Sequence, residues 1–203
     1  QPVAVIAEDT NGDGGPEIIT ANDGTSNVSV LAANLNYQNG VTYPTPVGPS
    51  ALAVADYNGN RVMDIAVACN NGSAQDLAIL SGNGGGGFMN AVTFTVGRNP
   101  TAIVSRDLDG DGKPDIVMAP RTGDSVYVLR NTSVTPSITF VTGATYSLKM
   151  GSAPSALLLD DRGWIVQRVG TIVMNELQGA PRRAAIGAAL HNDVILRLVS
   201  ERL

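Results

Sequence analysis

An acidic stretch of nine residues recurs along this chain roughly every 50 residues, and that recurrence limits the fold more than any other feature. Residues 107–115 read DLDGDGKPD, 56–64 read DYNGNRVMD and 9–17 read DTNGDGGPE. All three fit one template: an acid, any residue, Asp or Asn, Gly, Asp or Asn, three residues, and a closing acid. A proline lies seven residues before each first acid, at Pro2, Pro49 and Pro100, and the same offset joins Pro154 to Asp161. The chain therefore reads as a single repeat domain of four units, approximately 1–48, 49–97, 98–151 and 152–203.

Short apolar runs flank each stretch. EIITAN, DIAVACN and DIVMAP follow it directly, NVSVLAAN, DLAILSGN and SVYVLRN come next, and VTYPTPVG, AVTFTVG and ITFVTGATYSLKMG close the first three units. These runs are rich in Val, Ile, Thr and Ala and bounded by Gly, Asn and Pro, which are strand signals. DIVMA is apolar on both faces, as a strand between two neighbouring sheets would be. One run before the stretch and three after it predict an all-β fold, a β-propeller built from four-stranded blades, with three clear repeats and a degenerate fourth. A β-solenoid is the runner-up, but its repeats are usually shorter.

The fourth unit carries DRGWIVQRV at the acidic position, so Ile165 and Val169 occupy places five and nine and cannot bind a cation. There TIVMN at 171–175 and NDVILRL at 192–198 align as strands, separated by an insertion with a short helix expected from Pro181. A degenerate capping blade is preferred to sequence foreign to the repeat.

A dense acidic loop can be a catalytic carboxylate cluster, a metal cage or only a polar turn. Repetition argues against catalysis, because an active site is needed once and a brace is needed in every blade. Asx hydrogen bonds alone could build such turns. Calcium takes six to eight oxygens at ~2.3–2.6 Å, and alternate side chains of a short loop can supply them. The expected donors are side chains at places one, three, five and nine and a backbone carbonyl at place seven. These are Asp107, Asp109, Asp111, the carbonyl of Lys113 and Asp115; Asp9, Asn11, Asp13, the carbonyl of Gly15 and Glu17; and Asp56, Asn58, Asn60, the carbonyl of Val62 and Asp64. Carboxylate count ranks the third loop first, the first second and the second last, where Arg61 replaces a turn glycine. This is not an EF-hand, since place twelve is Thr20, Val67 or Met118 rather than Glu.

The blocks DLDGDGKPDIVMA, DTNGDGGPEIITAN and GPSALAVADYNGNRVMDIAVACN resemble FG-GAP/VCBS-type repeats, the units of integrin-alpha-like β-propellers. GGGGF at 84–88 fits that pattern, and the resemblance covers roughly residues 1–160. It implies a calcium ion in the loop between the first two strands of a blade, an extracellular or cell-surface setting and a role in binding or adhesion. Family propellers commonly have seven blades, so ring closure with four units stays open.

The remaining features favour plain roles. The net charge of −5 and pI near 4.7 argue against nucleic acid and anionic membranes as partners. No apolar run reaches the ~18–20 residues of a membrane span. Gln1 in place of a methionine suggests a processed or trimmed start. Cys69 reads as a buried structural thiol, His191 as a surface residue, Trp164 as a core aromatic or a sugar platform, and 82–87 as a hairpin connection without the Lys-Ser/Thr of a phosphate loop. The expectation is a non-catalytic, calcium-stabilised extracellular module with a protein or glycan ligand and an exposed blade edge open to self-association. The alternatives are a lectin, for which aromatics are sparse, and an accessory part of a secreted polysaccharide- or phosphoester-acting enzyme.

Overall fold

The computed structural model describes residues 1–70, 72, 76–96, 99–121, 125–147, 157–159, 164–168 and 193–197, the last three segments as backbone. The chain is all-β. Three consecutive sheets each have four antiparallel strands in sequence order. The first holds β1 (Pro2–Glu8), β2 (Glu17–Asn22), β3 (Asn27–Leu31) and β4 (Val41–Pro44). The second holds β5 (Pro49–Ala55), β6 (Asp64–Cys69), β7 (Leu77–Leu80) and β8 (Val92–Phe94). The third holds β9 (Pro100–Arg106), β10 (Asp115–Pro120), β11 (Ser125–Asn131) and β12 (Phe140–Ser147). A further sheet joins β13 (Leu157–Leu159), β14 (Trp164–Arg168) and β15 (Asp193–Arg197). The leading strands meet, β1 with β5, β5 with β9 and β9 with β13, so the sheets succeed one another as propeller-like blades.

The recurring proline begins the leading strand of each of the three four-stranded sheets. That strand is an edge of its sheet, where a missing N–H breaks no interior ladder. The pairing register shifts one residue later in every blade, around Val3, Ser50 and Thr101. The Ser50 hydroxyl at this bulge lies 2.6 Å from the carbonyl oxygen of Pro100, at the same bulge of the next blade.

Strand alternation explains why the central runs are apolar throughout. On β6, Ile65, Val67 and Cys69 pack with Ile19, Ala21, Val28 and Val30 of the first sheet. Ala66 and Ala68, pointing the other way, pack with Ile103, Ile116, Met118 and Leu129 of the third. Burial raises the Cys69 thiol to about 12, which makes it the inert packing group expected. The third sheet's far face, Val117, Ala119 and Val126, is also buried. The first sheet differs. Val5 stands where Leu52 and Ile103 press on a preceding sheet, yet it is 67% exposed. Thr20, Asn22 and Ser29 replace Val67, Cys69 and Ala78 on the same face and are joined by hydrogen bonds through the Asn22 side chain.

One expectation is corrected. Residues 164–168 form β14, paired with β13 and β15, rather than continuing a nine-residue loop. The missing acids explain this: Ile165 and Val166 satisfy a strand ladder and have no oxygen with which to fold the turn. NDVILRL is β15 as expected, whereas TIVMN, the helix from Pro181 and His191 lie outside the described residues.

Candidate metal centre

Each acidic loop joins the first and second strands of its blade, and all three loops are held by the same five hydrogen bonds. The first acid accepts the N–H groups at places four and six: Asp9 from Gly12 and Gly14, Asp56 from Gly59 and Arg61, Asp107 from Gly110 and Gly112, all at 2.7–2.9 Å. The third side chain accepts the fifth N–H, in Asn11, Asn58 and Asp109 alike. The fifth accepts the seventh N–H, so Asp13, Asn60 and Asp111 fix the backbone at Gly15, Val62 and Lys113. The closing acid accepts the second N–H: Glu17 from Thr10, Asp64 from Tyr57 and Asp115 from Leu108. Asp and Asn interchange at places three and five because the backbone uses only their acceptor oxygen.

This pattern needs left-handed backbone at places four and six. Glycine supplies it at Gly12, Gly14, Gly59, Gly110 and Gly112. In the second loop Arg61 adopts φ of +67°, so the strain expected from the missing glycine is present.

The closing acids are buried: Glu17, Asp64 and Asp115 are at most 2% exposed. Burial raises the carboxyl groups of Asp64 and Asp115 above their usual range, against the opposing N–H bonds from Gly82 and Asn131 respectively. Asp9, on the rim, is held below its usual value, foremost by the Gly14 N–H.

The third loop concentrates charge most. Carboxylate oxygens of Asp107, Asp109 and Asp115 all lie within 4.8 Å of one another. Donors on one calcium sphere can be separated by at most twice the ~2.3–2.6 Å bond, so this trio fits such an ion. Asp111 falls outside the trio, its Oδ2 lying 3.9 Å from Arg130 Nη2. Arg130 Nε is 2.5 Å from Asp109 Oδ2. Among the described residues no second trio of acids gathers in this way. In the first loop the Asn11 amide donates to both Asp13 Oδ2 and Glu17 Oε1, placing N–H groups between those carboxylates. The second loop has only Asp56 and Asp64 as acids.

Loops of neighbouring blades are also tied together. At the end of β11, Asn131 donates its side-chain N–H groups to the carbonyls of Tyr57 and Pro114, each at 3.0 Å, while its backbone N–H donates to Asp115. The Thr135 hydroxyl donates to the carbonyl of Asn58. The Lys113 ammonium reaches the carbonyl of Ser133. One blade earlier the Gly82 N–H donates to Asp64, and Gly86 approaches the Asn11 amide. None of these partners was legible from the repeat, since Asn131 and Tyr57 are 74 residues apart.

Tandem four-stranded blades, each with an acid-closed loop after its leading strand, define a propeller-like repeat protein. The model of the FG-GAP-like repeat matches residues 9–67 and 63–118, more than half of the chain, and the chain belongs to that family. Such repeats build β-propeller-like modules of the binding and adhesion type. No curated protein matches the chain.

Proposed function

We propose that the chain is a calcium-stabilised extracellular module that binds a protein or glycan ligand rather than performing catalysis. The observation that carries this reading is the Asp107, Asp109 and Asp115 trio, set in a loop template that recurs blade after blade. Asp107, Asp109 and Asp115 would hold the ion, with Asp111 and the Lys113 carbonyl completing its donors. The ion would supply positive charge where carboxylates otherwise repel one another. Asp9, Asn11, Asp13, Glu17 and the Gly15 carbonyl form a second, weaker site. Asp56, Asn58, Asn60, Asp64 and the Val62 carbonyl form the weakest.

Modules of this type outside cells work near ~0.1–1 mM affinity, which supports an extracellular setting. Ligand contacts fall to the loops between strands. The exposed first-sheet face around Val5 supports self-association, which would complete a ring between chains.

A thermal melt with calcium and with chelator tests the reading. At a calcium concentration of a hundred dissociation constants, a single site stabilises by about 2.7 kcal/mol. For a chain of this size that is a rise of roughly 5–11 °C in Tm. No rise sinks the proposal. In a titration, Asp107→Ala is expected to remove the tightest site and Asp56→Ala to leave it intact; the reverse overturns the ranking. A solution mass measured alongside shows whether chains pair.

A further inference from the structure

The third loop is the richest in carboxylates, and among the described residues it is also the only one of the three that forms an ion pair with a guanidinium. Arg130 lies near the end of β11, one residue past Leu129. By strand register its counterparts are Ser81 beyond β7 and Ala32 beyond β3. Neither side chain carries charge. Both oxygens of Asp109 are engaged: Oδ1 accepts the Asp111 N–H at 3.2 Å, and Oδ2 lies 2.5 Å from Arg130 Nε. The same guanidinium reaches toward Asp111. A cation drawing on Asp109 must share that carboxylate with Arg130 or displace it.

We infer that Arg130 is a built-in counter-cation of the third loop, which props the loop in the ion-free chain and weakens its hold on calcium. This rests on the calcium reading of that loop. The pairing is direct but shallow. The Arg130 and Asp109 side chains are 55% and 35% exposed, so water and salt screen the pair and the effect is a tuning one. Arg130 acts on affinity through Asp109 and is not itself a ligand. It sets the loop with four carboxylates closer to its poorer neighbours than their charge counts alone would.

The test compares the whole chain with Arg130→Gln and Arg130→Lys by calorimetric calcium titration and by melts in chelator. Arg130→Gln is expected to bind calcium about two- to fivefold more tightly at low salt, with the gap narrowing at high salt. In chelator the same variant is expected to melt below the wild type. Arg130→Lys keeps the charge and is expected to stay near the wild-type affinity. The gain is expected to vanish when Asp107→Ala is added, which places it in the third loop. Calcium binding by the wild type with equal or weaker binding by Arg130→Gln overturns the role of Arg130 and leaves the calcium reading standing. A gain that survives Asp107→Ala also overturns it. No calcium binding by either form overturns the calcium reading itself, and the inference with it.

Discussion

Asp115→Ala is expected to cost about 2–6 kcal/mol of stability, measured as a lower urea midpoint in chelator so that no ion contributes. The carboxylate joins two backbone donors: the part-buried Leu108 N–H on its own loop and the buried Asn131 N–H at the end of β11. An unpaired buried polar group costs about 1–3 kcal/mol, and the substitution leaves two. Its own burial makes the side chain costly to keep charged, yet the paired N–H groups lose more by its removal. Asp115→Asn keeps one acceptor oxygen and is expected to lose about half as much. A loss below about 1 kcal/mol for Asp115→Ala would show that water replaces the carboxylate, contrary to its 2% exposure.

Asn131→Ala is the second large effect, about 3–5 kcal/mol by the same measurement. This fully buried side chain gives one N–H to the second acidic loop and one to the third, and its oxygen accepts the Ser133 N–H at 2.9 Å. Alanine leaves three groups without these partners, the Tyr57 carbonyl and Ser133 N–H buried and the Pro114 carbonyl part-buried, and opens a small void. The loss should also reach the preceding blade, with faster hydrogen exchange at the Gly59 and Arg61 amides of the second loop. The Asn131 backbone N–H, which alanine keeps, donates to Asp115, and the Asn131 side chain holds the adjacent Pro114 carbonyl, so the two substitutions loosen the same junction and the double variant is expected to lose less than the sum. Exchange confined to residues near 131 would show that the bond to Tyr57 does not couple the blades.

The strands and the three loops were legible in the sequence because both are local. Alternation, bounding glycines and prolines, and Asx acceptors act within a few residues, and repetition in phase separates them from chance. The doubly apolar β6 and β10 were legible for the same reason. The degenerate unit misled because its leading proline kept the phase after its acids were lost, so β14 begins at Trp164 where loop was expected. The straps from Asn131 and Thr135 to the second loop were hidden because each depends on blades meeting in space. Arg130 was read only as part of a strand, since nothing in SVYVLRN says that its side chain folds back over a loop 19 residues earlier.

The five shared hydrogen bonds have one more consequence. They ask of places three and five only an oxygen that can accept, which aspartate and asparagine offer equally. Shape and charge are thus written in the same residues but can be edited separately. A single exchange between the two amino acids leaves the turn folded and changes the negative charge around its centre by one. A lineage of such blades could raise or lower the charge of its loops in small steps, without passing through a misfolded intermediate.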